Sequence, residues 1–179
     1  MRDRNPSILP STKVGTLLDL YPELEDMLIG LAPPFKKLKN PILRKSVAKV
    51  ASLEQVAAVG GVSVHELVNK LRAAVGQEAL AMEEQVTGRD SYFSKRPHWF
   101  DSIKIVASID ERGGDPGKMP IVTVLQETAR LKPAEILELV TTFLPAPGID
   151  IMKKKGFLVW SVQEEPELIR TYVSKPSDL

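Results

Sequence analysis

Between Asp110 and Pro120 the chain sets Asp110, Arg112, Gly113, Gly114, Gly117 and Lys118 directly ahead of a helix-opening proline. Glycines let backbone N–H groups converge, Arg112 and Lys118 add charge, and the first N–H groups of a helix have no intrahelical partner; together these features bind anions. The bland alternative is a strand-to-helix loop whose glycines supply positive φ angles and whose charges are solvated. A loop of this kind can equally serve a protein partner. The chemistry that is missing is easier to name. A chain without cysteine has no disulfide, thiolate nucleophile, persulfide carrier or thiolate metal site. His65 and His98, the two histidines, have no carboxylate arrangement beside them, so no metal site is expected. Nor is a nucleophile set next to a base. The acidic pairs Asp110 with Asp115 and Glu164 with Glu165 fall in turn-like sequence, where acids serve solvation and capping. No catalytic residue and no cofactor is therefore assigned.

A second constellation is basic. Phe35, Lys36, Lys37, Lys39, Arg44 and Lys45 cluster with Lys49, and they read either as a solvated face or as a docking surface for an acidic partner or nucleic acid. Six cations could neutralise several phosphates, but Phe35 is the one aromatic beside them. The segment from Ser52 to Arg72 has the spacing of a helix-turn-helix whose second helix would expose His65, Glu66, Asn69, Lys70 and Arg72; any compact helical hairpin has that spacing too, and Glu66 would face phosphates unfavourably. His98-Trp99-Phe100 reads as a pair of packing anchors rather than a ligand cage. The net charge of +1 supplies no global field toward nucleic acid or an anionic surface, so any attraction must be local. The first thirteen residues do not have the pattern of a secretory signal, and no apolar run approaches the roughly 20 residues of a membrane-spanning helix, so the expectation is a cytoplasmic protein with no membrane partner.

These residues need elements to position them. Val14, Leu17, Leu18 and Tyr21 have helical spacing; a second helix is expected from Glu23 to Ile29 with its stop at Gly30, and a third from Asn40-Pro41 through Ile42, Leu43, Val47 and Val50. Ser52 with Gln55 and Ser63 with Glu66 have capping-box spacing, the first helix stopping at Gly60-Gly61 and the second burying Val64, Leu67, Val68 and Leu71. After Pro97 the period changes. Ile103, Ile105, Ala107 and Ile109 alternate as a half-buried strand; a helix follows from Pro120 to Leu131, a strand from Glu135, a helix from Pro147 to Lys155, and strands from Phe157 and Leu168. The fold class is α+β: a small helical bundle over residues 1–76, a linker over 77–97, and over 98–179 a β-α-β-α-β-β two-layer sandwich with both helices on one face. The Leu168–Lys175 strand is expected at an edge, where it would pair across a homodimer.

Two resemblances follow from particular residues. Thr12 to Leu18, Tyr21-Pro22-Glu23, Gly30-Leu31, Ser52 to Ala57 and Glu66-Leu67 resemble the small helical domain of unknown function associated with hybrid cluster proteins. Members often carry a redox cysteine pair soon after the glycine; here that stretch is Ala32-Pro33-Pro34-Phe35, so the resemblance implies the fold without the redox chemistry. Asp110, Arg112, Gly113, Pro116-Gly117, Pro120, Leu131-Lys132-Pro133 and Leu137-Glu138-Leu139 are similar to the TusA/SirA-like sulfur-carrier fold and its cysteine-less relatives. In the sulfur carriers a cysteine leads into the first helix; Gly117 occupies that place, so the resemblance implies a pocket able to hold a small anionic ligand or a partner but unable to carry sulfur.

Overall fold

The computed structural model describes residues 6–31, 35–36, 48–81, 88–113 and 120–177. They form two compact units, one running to Asp90 and the other from Ser91.

The first unit is helical. α1 (Val14–Leu20) buries Val14, Leu17 and Leu18. A 3-10 turn over Pro22–Leu24 leads directly into α2 (Glu25–Leu31), which buries Leu28 and Ile29. Gly30 does not end this helix as its residue type suggests. It is the penultimate residue, where glycine weakens only the last turn and burial of its neighbours outweighs the roughly 1 kcal/mol propensity cost. Residues 48–50 are helical, with Ala48 buried and Val50 43% exposed, so Val50 leaves the expected apolar stripe; Ile42, Leu43 and Val47 lie outside the described residues. Gly15 permits a close approach here, since a Cβ on it would stand 3.3 Å from the Ala48 carbonyl oxygen.

α3 (Leu53–Gly60) starts with the full reciprocal box between Ser52 and Gln55 and ends at Gly61, whose φ of 67° is left-handed. α4 (Val64–Ala74) buries Val64, Leu67, Val68 and Leu71 as the spacing requires. Its box is half made: Ser63 accepts from the Glu66 N–H, while the Glu66 carboxylate turns to Lys70 at 2.6 Å. An antiparallel bridge between Lys13 and Ser52 ties the start of α1 to the start of α3.

The segment over 77–97 is fastened at both ends. The Asn69 amide pairs with both backbone groups of Leu80, and Gln77 accepts from Ile8 N–H. Arg89 donates to the carbonyls of Ala58 and Val59, satisfying the exposed end of α3. At the start of the second unit, Tyr92 donates to Asp150, Phe93 bridges Ser161, and the Trp160 indole donates to the Ser94 carbonyl at 2.9 Å.

The second unit is a mixed sheet with two helices. Strands β1 (Ile105–Asp110), β2 (Ile136–Thr141), β3 (Leu158–Glu165) and β4 (Leu168–Ser174) stand in the order β1-β2-β4-β3, with β1 parallel to β2 and β4 antiparallel to both its neighbours. α5 (Pro120–Arg130) and α6 (Ala146–Lys154) cover one face, where Val124 and Met152 pack on Leu137, Leu139 and Val173. The class is α+β, in the expected element order.

The opposite face carries the alternate residues Ile136, Trp160 and Tyr172, and Trp99 and Phe100 pack against them. Phe100 lies 4.7 Å from the Trp160 ring centre and 4.5 Å from that of Tyr172. The expected alternation holds only for Ala107 and Ile109 on the helix side: a register shift between Ile105 and Ala107 turns Ile105 to the aromatic face, and Ile103 does not belong to β1 at all. Asp101 accepts from the Ile103 N–H and holds a 3-10 turn over Ser102–Lys104, leaving Ile103 90% exposed. Nor is β4 an edge. It is hydrogen-bonded to β2 on one side and β3 on the other, so the dimer pairing expected through Leu168–Lys175 has no free backbone to use.

Replacing Gly61 by alanine forces a left-handed residue to carry a Cβ and is expected to cost about 1 kcal/mol in thermal or urea unfolding followed by far-UV circular dichroism. Both tryptophans belong to the second unit, so their fluorescence reads that unit alone. Phe100→Ala should lower its stability by on the order of 2 kcal/mol, less than a fully buried phenylalanine because the ring is half-covered. An unchanged urea midpoint would show that the aromatic cover is dispensable.

Candidate functional site

Asp110 closes β1 beside Val140 of β2, and with Ser108 it projects from the face away from the helices. Two residues on, the chain turns back on it: the Arg112 N–H donates to Asp110 Oδ1 at 3.0 Å, Arg112 Nε reaches both carboxylate oxygens at 3.0 and 3.1 Å, and Nη2 donates to Oδ2 at 2.6 Å. This is a two-pronged guanidinium–carboxylate pair supplemented by a backbone bond. The Arg112 hydrogen bonds hold the Asp110 carboxyl down at about 2, and Asp110 in turn raises the Arg112 guanidinium. Both stay ionised at any ordinary pH.

A second network continues across the same face. Arg170 on β4 donates to Glu138 of β2 and to Glu164 of β3, each at 2.8 Å, and Ser108 donates to the other Glu138 oxygen at 2.7 Å. Glu164 and Glu138 raise the Arg170 guanidinium further. Burial, with the negative Glu138 close by, pushes the Tyr172 phenol up. Asp110, Glu111, Glu164, Glu165 and Glu167 thus gather at one end of the sheet against the cations Arg112 and Arg170. Asp110 among them is held away from neutrality by its bonds to Arg112. The surface offers fixed charge and fixed hydrogen-bond geometry, which recognises; a general acid needs a carboxyl raised toward working pH.

The structure therefore brings Asp110, Arg112 and Gly113 together at the end of β1, and Pro120 opens α5. Gly114, Gly117 and Lys118 lie outside the described residues. So do Lys37, Lys39, Arg44 and Lys45 of the basic cluster; Lys36 is exposed, and Phe35, 6% exposed, belongs to the core and cannot serve as a docking aromatic. Arg72 is likewise corrected from a surface to a buried position, where it donates to the Glu78 and Ile8 carbonyls and the Ser7 hydroxyl. An open depression of about 470 Å³ on the helical unit is lined by Ser63, His65, Glu66, Asn69, Lys70 and Ala73. Its polar groups are already engaged: Glu66 with Lys70, and Asn69 with His65 and the Leu80 carbonyl outside the depression.

Glu138 and Arg170 are the functional candidates that sequence reasoning passes over. Each is a lone charge inside an apolar strand, Leu-Glu-Leu in one and Ile-Arg-Thr in the other. That signal marks both positions as outward-facing, but pairing them requires knowing that β2 lies beside β4. Among the described residues no group of three or more histidine, aspartate or glutamate side chains is placed to hold a metal ion, and no helix is long and apolar enough to cross a membrane.

Residues 8–68, from the turn before α1 into α4, match a domain of unknown function, DUF1858. No curated protein and no solved structure matches the chain.

The depressed Asp110 carboxyl sets a pH window. A folded-state value of about 2 below the ordinary 3.8 contributes stability that is present at neutral pH and is lost as pH falls from 3.8 through 2. Arg112→Ala should return the Asp110 midpoint to near 3.8 in a carboxyl-detected NMR titration. A midpoint that stays near 2 in this variant would mean that Arg112 is not the cause.

Proposed function

We propose that this protein is a noncatalytic binding or accessory protein, and that its second unit is a TusA/SirA-like domain from which the sulfur-carrying cysteine has been lost. The β-α-β-α-β-β order, with both helices on one face, supports that reading of the unit. The observation that carries the functional reading is the closed Asp110–Arg112 pair. Arg112, the nearest described cation to the glycine loop, already spends its fork on Asp110, and the end it occupies carries an excess of carboxylates. Such an end suits a protein partner that presents basic or hydrogen-bond-donating groups better than it suits a free anion. The small-anion reading of the loop rests on Gly114, Gly117 and Lys118.

Amide NMR on the full chain separates the two. Titration with sulfate, phosphate and nucleotides should leave Gly113 and the first amides of α5 in place. Saturable shifts there would replace the protein partner with a small anion. In the native host, a photo-crosslinking residue at Glu167 should give discrete adducts that disappear when Glu164 and Glu165 are both changed to lysine. Adducts indifferent to that reversal would remove this surface from the proposal.

A further inference from the structure

The sheet topology sorts charge in a way that the net value of +1 conceals. Ile105, Ile136, Ser174 and Leu158 form one row across the sheet, each paired with the next. Lys104 enters β1 just outside this row and Lys175 leaves β4 just outside it. Lys132 stands in the turn that approaches β2, beside Lys175 because the Ala134 N–H donates to the Lys175 carbonyl. Both helices run back toward the same end, so α5 finishes there with Arg130 and α6 with Lys153, Lys154 and Lys155. All these side chains are exposed. Among the described residues Arg130 alone of them has an ion pair, with Glu127, and Lys153 lies over the Tyr92 ring.

The carboxylates that share this end are engaged in the fold. Asp101 accepts from Ile103 N–H, Glu135 from Lys132 N–H, and Asp150 from the Tyr92 hydroxyl. Counting them together with Glu127 leaves an excess of three positive charges among the described residues. The acidic surface of Asp110, Glu164 and Glu167 lies at the far ends of the strands, about 20 Å away for six residues at roughly 3.3 Å each.

We propose that this basic end contacts the phosphate backbone of nucleic acid. The cations lie in two layers about 10 Å apart, sheet and helix, with the sheet layer spread over three neighbouring strands at roughly 4.8 Å steps. Lysine-rich, apolar-poor composition is what backbone contacts use and what the core of a protein–protein interface is depleted in. A membrane surface would need a cluster of apolar side chains to insert, and among the described residues Ile103, at 90% exposure, stands out far beyond Val106 at 56% and Leu158 at 36%.

The test is fluorescence anisotropy of the full chain with a labelled 20-base-pair duplex of mixed sequence, from low to physiological salt. The expected result is binding that weakens linearly in log affinity against log salt. Replacing Lys153, Lys154 and Lys155 by alanine should lower affinity at least tenfold and flatten that slope by about 2 to 3, since each phosphate contact contributes about 0.9. Lys36→Ala with Lys49→Ala should change neither. All these side chains are exposed, so unchanged circular dichroism is expected throughout. Absence of duplex binding at low salt, loss through the Lys36 and Lys49 changes instead, or binding to phosphatidylserine vesicles but not to duplex would each overturn the proposal.

Discussion

A four-stranded sheet has two faces, and two helices can cover one. The second unit is shaped by how it treats the other. Leu137, Leu139 and Val173 go to the helices, and the pleat then forces Ile136, Trp160 and Tyr172 to the opposite side. Left in water, two large aromatic rings would form an exposed apolar patch of the kind that promotes association. The chain entering the unit closes it: Trp160 donates to the Ser94 carbonyl, and Phe100 packs between Trp160 and Tyr172. Arg96 rests 4.9 Å from the centre of the Phe100 ring, adding a cation over its face.

That cover stops partway along the sheet, and where it stops the chemistry changes. Beyond Tyr172 the same face presents Glu138, Arg170 and Glu164 in a bonded series, with Asp110 and Arg112 at the strand end. A charged side chain on a sheet can remain half-covered when its partners are on the neighbouring strands, and Arg170 has one on each side. The face is thus apolar at one end and ionic at the other. Both ends follow from the register that places Tyr172 opposite Trp160 and Arg170 opposite Val162.

The helical unit meets a different constraint. Its helices are short, α1 and α2 having seven residues each, and helices of that length are not stable alone. They hold because their ends are tied by side chains and because their apolar faces meet. Ser52 and Gln55 close the start of α3, and Arg89 its end. Arg72 binds the entry at Ile8 and the exit at Glu78 together, so one guanidinium anchors two segments that have no regular structure. The residue that looked like a surface contact is in fact a clamp.

Local chemistry fixed much of this in the amino-acid order. The Ser52 box, the glycine stop at Gly61, the buried stripe Val64–Leu67–Val68–Leu71 and the Ala107–Ile109 alternation depend on neighbours within about one turn, and each was legible. So was the loss of sulfur chemistry, since it needs one atom type that the chain does not contain. Gly30 and Ile103 misled because residue type alone cannot weigh a propensity against burial or a competing turn. What only tertiary structure decided was adjacency. That β4 lies between β2 and β3, that Glu138 meets Arg170, and that the strand starts and helix ends gather lysines while carboxylates collect at the other end, are consequences of long-range pairing. Pairing depends on the apolar faces of all four strands being satisfied together, and no single stretch of sequence holds that information.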